Sequence, residues 1–305
     1  MDKIHIGDCR ECMRKMPEKS VQTCITSPPY FGLRDYGHAM QIGLEETPEE
    51  YVKQLVEVFR EVRRVLMDNG TVWLNLGDSY AGNGAAYGDA KSTLQGGKQS
   101  KRMGVKRVAK KCLPPKNLIG IPWRVAFALQ ADGWILRQDI IWSKPNPMPE
   151  SVTDRCTKAH EYIFLLSKSQ KYYYDADAIK EPAQPDTVVR DRETTKLNNV
   201  PGRKRMNGLT VNNYEIRNKR TVWTVATKPY TEAHFATFPP ELITPCILAG
   251  CPEGGIVLDP FMGSGTVAAT ALRLGRDYRG CEINPEYLKL ISVRVELSGK
   301  LFEQH

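Results

Sequence analysis

The chain has 305 residues, with 43 Lys plus Arg against 35 Asp plus Glu, a formal net charge of +8. This length, with an apolar fraction of 41%, fits one large folded domain or two modest ones and excludes a disordered chain. No apolar run approaches the roughly 20 residues that span a bilayer. The opening MDKIHIGDCRECMRKM carries no apolar signal segment. The cysteines are scattered, and Cys9 and Cys12 have no second pair at zinc spacing, so free thiols in a reducing cytoplasm and no metal are expected.

Residues 21–27 (VQTCITS) read as a short strand that ends at Pro28-Pro29. Residues 48–67 read as a helix, because Tyr51, Leu55, Val58, Val62, Val65 and Leu66 recur at helical spacing; Asn69-Gly70 is its expected stop. A strand is expected at 71–76 (TVWLNL). Residues 81–116 are rich in Gly, Ser and Lys and read as a loop. A helix is expected at 118–131, with Pro122 near its first turn and Ile121, Val125, Phe127, Ala128 and Leu129 to bury. A strand follows at 135–142 and is closed by KPNPMPE; another lies at 162–167 (YIFLLS). Residues 169–222 are polar and irregular, with weak strand signals at 171–174 and 221–225. The remainder reads as helix 239–248, strand 256–259, helix 264–274, strand 278–282 and helix 285–297. This alternation predicts an α/β fold with a mostly parallel sheet covered on both faces.

The charge is concentrated. Residues 81–224 hold 26 basic and 13 acidic side chains, whereas both flanks are slightly acidic. Nine Lys or Arg and no acid lie between Lys91 and Lys116, among them Lys106, Arg107, Lys110 and Lys111. Six more, including Arg203 and Arg205, lie between Arg203 and Arg220 with Glu215 alone against them. Two such runs suit a polyphosphate partner, since each neutralised phosphate releases counterions.

Two motifs carry chemistry. DPFMGSGT at 259–266 falls between a buried strand and a helix. Its glycines let a ligand approach the backbone, and the helix start presents free N–H groups. It is neither a Walker loop nor a G-x-G-x-x-G. Glu282, at the end of the next strand, is placed to accept both hydroxyls of a ribose. The other motif is TSPPY at 26–30, after the first strand. Two prolines there fix the backbone and remove two N–H donors. Carbonyl oxygens, a hydroxyl and an aromatic ring remain, which together form an acceptor site for an amine and a stacking surface for a flat ring.

TSPPY followed by DPFMGSGT resembles the amino-group DNA methyltransferases that use S-adenosyl-L-methionine, in the circularly permuted beta group. IGD at 6–8, GTVWLNLGD at 70–78, IWSKPN at 141–146, HEYIFLLSKS at 160–169 and HFATFPPEL at 234–242 extend the resemblance over about three quarters of the chain. It implies a Rossmann-like methyltransferase fold with a small inserted target-recognition region. The implied divisions are a catalytic half at 1–169, target recognition at 170–224 and a cofactor-binding half at 225–305. It implies further that Asp259, Phe261, Gly263, Gly265 and Thr266 wrap the cofactor and that Glu282 holds its ribose. Ile283 would lie on its adenine and Asp8 would accept from the adenine amine, with Phe235 and Phe238 closing the pocket. Ser27, Pro28, Pro29 and Tyr30 would hold the target base. Lys106, Arg107, Lys110, Lys111, Arg203 and Arg205 would grip DNA.

The implied partner is double-stranded DNA, in a restriction–modification setting; a homodimer is left open, and neither membrane nor metal is implied. In this family a Ser at the place of Ser27 goes more often with cytosine, so the N4 amine of cytosine is the favoured target. The N6 amine of adenine is the alternative. An RNA substrate, and a non-catalytic nucleic-acid-binding protein on the same fold, are the other readings.

Overall fold

The computed structural model describes residues 3–33, 38, 40–82, 113–183, 216–227 and 238–302, the side chains of 299–302 apart. The basic residues Lys106, Arg107, Lys110, Lys111, Arg203 and Arg205, together with Phe235, lie outside the described residues.

The elements run β1 (Ile4–Ile6), α1 (Cys9–Arg14), β2 (Val21–Thr26), α2 (Pro48–Val65), β3 (Leu66–Leu76), α3 (Ile121–Ala131), β4 (Ile135–Ser143) and β5 (His160–Ser167). A 3-10 turn (Asp177–Ile179), β6 (Glu181–Pro182), β7 (Ile216–Arg217), β8 (Val222–Thr224), α4 (Pro240–Gly250), β9 (Ile256–Asp259), α5 (Thr266–Arg273), β10 (Asp277–Glu282) and α6 (Tyr287–Phe302) follow. Eight strands form one sheet in the order β1-β10-β9-β2-β3-β5-β4-β8. Among the described strands of this sheet, β5 alone runs antiparallel to its neighbours, β3 and β4.

Strand β3 shows how the sequence pattern becomes two cores. Val72, Leu74 and Leu76 point to the face covered by α1, α2 and α3. Trp73, between them, points to the face covered by α4, α5 and α6. Burial on both sides is what makes such a strand continuously apolar. Helix α2 is the best specified element. Thr47 and Glu50 form a reciprocal capping box, Pro48 opens the first turn, and Tyr51, Leu55, Val58, Phe59, Val62 and Val65 are fully buried. Each such side chain contributes about 1.5–3 kcal/mol of transfer free energy as an upper estimate.

Several expectations are corrected. Asn69-Gly70 is not a helix stop, because β3 already begins at Leu66. Val21 pairs with Leu66 and Thr23 with Thr71, so residues 67–70 bulge out. Gly70 is required there, since a Cβ would fall 2.5 Å from Leu66 Cγ and 2.9 Å from the Gln22 carbonyl. Helix α3 starts at Ile121 rather than 118, because Gly120 takes the left-handed N-cap position at φ 77°. Phe127 is 55% exposed rather than buried, lying on α3 beside Trp123. Residues 171–174 form no strand; the Tyr173 N–H bonds the Asn69 carbonyl across the bulge, and Tyr174 stacks on Trp73. Helix α5 begins at Thr266, two residues later than expected. β1 and α1 add to the expected elements; β1 pairs with β10, so the first strand lies spatially beside the cofactor motif's strands.

Strands β2 and β9 are parallel neighbours. From β2 the chain proceeds outward to β3, and from β9 it proceeds to β10 on the other side. Sheets of this kind bind ligands at the carboxyl ends of strands where the order reverses. Both motifs leave the sheet at that point.

Candidate active site

A cavity of about 740 Å³ opens at this edge of the sheet. Ser27, Pro28, Pro29 and Tyr30 line it, as do Asp8, Phe238, Asp259, Phe261, Gly263, Thr266, Glu282 and Ile283. The two motifs, more than 200 residues apart in sequence, therefore share one space.

On the β9–β10 side the site is made mainly by backbone. Asp259 Oδ1 accepts from the Phe261 N–H at 3.0 Å and from Thr26 Oγ1, across the seam to β2, at 2.6 Å. Burial, opposed by these bonds and aided by the nearby Glu282 charge, pushes the Asp259 carboxyl up to about 7. Glu282 Oε2 accepts from the Gly263 N–H at 2.7 Å, and Oε1 from the Asn284 N–H at 2.8 Å. The carboxylate thus holds the glycine loop against the end of β10, and burial raises its pKa against those bonds. Gly263 is left-handed at φ 52° and lines the cavity. Helix α5 begins with no side-chain cap, and Thr266 Oγ1 is buried without a hydrogen-bond partner among the described residues.

Two of the expected cofactor residues have structural partners of their own. Gly265 is not on the cavity wall; its φ is 79°, and a Cβ there would meet Ile291 Cγ2 at 3.1 Å, so it serves the packing of α5 on α6. Asp8 lines the cavity, but it caps α1 through the Arg10 N–H and pairs with the Arg10 guanidinium at 2.7 Å. Burial would raise its carboxyl, and the bonds and charge of Arg10 outweigh burial and hold it low.

The β2–β3 side is made of side chains from separate segments. The Tyr51 hydroxyl donates to the Pro29 carbonyl at 2.8 Å and fixes the Pro-Pro turn. The Tyr30 ring lies over Gly77, where a Cβ would fall 2.6 Å from Cε2. Tyr30 Oη donates to Glu161 Oε2 at 2.6 Å, with Asn75 Oδ1 at 3.1 Å. Ser27 Oγ donates to Tyr30 Oη at 3.3 Å. Glu161 is ion-paired with Lys144, whose ammonium also lies 4.3 Å from the Trp142 ring centroid. Burial and the Glu161 charge push the Tyr30 phenol well above its ordinary value, so the hydroxyl keeps its proton.

Lys144 and Glu161 converge because β5 is antiparallel: its start meets the exit of β4 at the cavity edge. Sequence reasoning missed Asn75, Lys144 and Glu161 as site residues. Their signal was position, each at a strand end within a segment that resembles the family. Asn146 binds Thr227 through both its amide groups, at 3.0 and 2.9 Å, and closes this flank. Asp78 accepts from the Gly120 and Ile121 N–H groups at 3.0 and 3.1 Å and caps α3. Nearby, the Ala81 N–H bonds the Asn117 carbonyl and the Lys116 N–H bonds the Ala81 carbonyl, each at 2.8 Å.

The family model described as DNA methylase, for N6/N4 methyltransferases, matches residues 21–293. The chain is 46% identical over 293 residues to the type II methyltransferase M.SmaI of Serratia marcescens, covering 96% of this chain and 90% of that one. The fold is similar to that of the PvuII DNA methyltransferase (cytosine-N4-specific), with a TM-score of 0.63, 18% identity and coverage of 99% and 91%. A similar fold is found in a putative DNA modification methylase from Thermus thermophilus complexed with S-adenosyl-L-methionine, with a TM-score of 0.59, 23% identity and coverage of 98% and 96%. Among the described residues no helix is long and apolar enough to cross a membrane. With a matching model over most of its length and a relative at this identity, the chain belongs to the N6/N4 family of DNA methylases.

Proposed function

We propose that this protein transfers the methyl group of S-adenosyl-L-methionine to the N4 amine of cytosine in duplex DNA. The observation that carries this reading is the meeting of Ser27, Pro28 and Tyr30 with the 259–266 loop and Glu282 in one cavity.

The residues fit the cofactor. The uncapped start of α5 and the unpartnered Thr266 hydroxyl would hold a methionine carboxylate. Glu282, fixed by two backbone N–H groups, retains lone pairs for ribose hydroxyls. Phe261, Phe238 and Ile283 supply apolar walls for the adenine ring. Held there by Thr266, Glu282 and the start of α5, the cofactor would supply an electrophilic methyl group to the base amine, whose surplus proton would pass to water.

The amine needs help because its lone pair is delocalised into the ring. Ser27 Oγ and the Pro28 carbonyl each accept one amine hydrogen, which favours a pyramidal nitrogen and aims its lone pair. Positioning of this kind supplies much of the barrier reduction. Tyr30 stacks on the base, a contact worth about 1–3 kcal/mol. The base must leave the duplex, since its amine is inaccessible in the stack. Support for cytosine comes from Ser27, a short neutral acceptor suited to drawing the smaller ring deep into the pocket. Residues 170–224 are proposed to read the target sequence between a base-binding part, 1–169, and a cofactor-binding part, 225–305.

Mass spectrometry of nucleosides from DNA treated with protein and cofactor is the test. N4-methylcytosine is expected; methylated adenine without N4-methylcytosine overturns the base assignment. For the DNA grip, replacing Lys106, Arg107, Lys110 and Lys111 by Gln should weaken binding and lower the salt slope by up to about 0.9 per lost phosphate contact. An unchanged slope would assign the grip elsewhere, with Arg203 and Arg205 as the next candidates.

A further inference from the structure

Ser27 can serve an amine only if its hydroxyl presents lone pairs to it. A hydroxyl has one proton and two lone pairs, and it rotates to suit its neighbours. Unless that proton is committed elsewhere, it competes with the amine hydrogens for the space in front of Oγ.

The structure provides a destination for it. Tyr30 Oη lies 3.3 Å from Ser27 Oγ. Tyr30 has one proton of its own, and the two acceptors beside it, Glu161 Oε2 at 2.6 Å and Asn75 Oδ1 at 3.1 Å, both draw that proton away from Ser27. Tyr30 therefore has nothing to donate to Ser27 and can only accept from it. The Asn75 amide N–H₂ is held by the Tyr162 carbonyl at 3.1 Å, which keeps its oxygen toward Tyr30. Glu161 is in turn held by Lys144, and the pair is largely out of solvent, with side chains 13% and 18% exposed. The Trp142 face holds the Lys144 ammonium in place. The donors converge on Glu161, from Ser27 through Tyr30 on one side and from Lys144 on the other. Chains of this kind polarise one another, and charged ends strengthen the effect. The Ser27–Tyr30 contact is long for two hydroxyls, and catalytic contacts of this length tighten when substrate fills a site.

We propose that Lys144, Glu161 and the Tyr30 hydroxyl are positioning residues of a hydrogen-bond relay that converges on the Glu161 carboxylate, committing the Ser27 proton to Tyr30 and leaving the Ser27 lone pairs to the base amine. This rests on the reading of Ser27 as an amine acceptor. It gives Tyr30 two separable roles, the ring for stacking and the hydroxyl for orienting Ser27. It also makes the Lys144–Glu161 pair part of the chemistry at a distance of two hydrogen bonds.

The test is a double-mutant cycle on the full chain, with tritiated S-adenosylmethionine and unmethylated chromosomal DNA. Tyr30→Phe keeps the ring and its packing on Gly77. It should lower kcat about 10- to 100-fold, the scale of one lost preorganised contact, with KM for DNA changed less than about threefold. In the Ser27→Ala background, where there is no hydroxyl to orient, the same change should have no further effect on kcat. Lys144→Met should behave like Tyr30→Phe, and Lys144→Arg should restore most of the rate. If Tyr30→Phe fails to fold, the Lys144 pair carries the same cycle. Equal slowing of wild type and Ser27→Ala by either change would show action independent of Ser27 and overturn the relay, as would wild-type kcat in Tyr30→Phe. Wild-type kcat in Ser27→Ala alone would instead remove the acceptor role of Ser27 on which the relay stands.

Discussion

The two halves of the cavity solve different problems by different means. The β9–β10 half is contiguous: the loop after Asp259 and the end of β10 are tied by one carboxylate, and its donors are backbone N–H groups. The β2–β3 half is dispersed: Ser27, Asn75, Lys144 and Glu161 come from four segments, and the bonds that link them through Tyr30 are between side chains. A cofactor that is always the same can be held by backbone geometry, which substitution alters little. On the proposed reading the base is met by the Pro28 carbonyl and by side chains whose proton positions are set by their partners.

If that contrast is right, the largest single effect on turnover lies in the dispersed half. Ser27→Ala removes the proposed amine acceptor and should slow methyl transfer about 100-fold or more, by comparison with loss of one preorganised hydrogen bond. Cofactor affinity should stay within a few-fold, because the proposed cofactor contacts are on the other side of the seam. Single-turnover rates and calorimetric titration separate the two. A variant that loses cofactor binding in proportion to rate would erase the distinction between the halves.

Glu282→Ala is the converse experiment. It removes two charge-assisted bonds to backbone and the proposed ribose acceptor, so the glycine loop loses its anchor to β10. Affinity for S-adenosylmethionine should fall about 10- to 100-fold, the scale of one or two hydrogen bonds to a charged group. At saturating cofactor, kcat should recover most of its wild-type value. Unchanged affinity would remove Glu282 from the cofactor site.

The same contrast explains what could be read from the sequence. DPFMGSGT and TSPPY are short unbroken strings at strand ends, and each was legible as a loop with a function. Strand 256–259 and the helix from Pro48 were legible because burial on both faces and apolar residues at helical spacing leave local marks. Lys144 and Glu161 left no such mark. They meet because β5 runs against its neighbours, and strand direction is a property of the whole sheet. Gly265 is the opposite case: its place in a glycine motif suggested ligand contact, and the motif does not show that Ile291 fills the space beside its Cα. Asn69-Gly70 misled likewise, because a bulge and a helix stop draw on the same residue types.

The smallest predicted effect concerns the seam itself. Asp259 bridges the halves, accepting from Thr26 on one side and Phe261 on the other, and it is 3% exposed. Its carboxyl titrates near 7 in the folded protein against 3.8 ordinarily, raised first by burial and further by the Glu282 charge. The folded state therefore binds this proton more tightly than the unfolded chain does. Stability from this source is fully present below 3.8, declines above it and is lost as pH rises through about 7. A shift of this size corresponds to ~4 kcal/mol as an upper limit. Asp259→Asn keeps an oxygen for Thr26 and Phe261 but cannot ionise. Urea denaturation of the cofactor-free protein should thus show wild type weakening between pH 6 and 8 by about a kcal/mol, on the order set by such linkage. The variant should be nearly flat over the same range, with a residual slope from Glu282, whose pKa is also raised by burial. S-adenosylmethionine is cationic at its sulfonium, so it favours the ionised carboxylates, and its affinity for wild type should rise over the same pH range. Equal pH slopes for wild type and Asp259→Asn would mean that the seam carboxylate is charged at neutral pH, and that the two halves are joined by a charge rather than by a neutral hydrogen-bonded bridge.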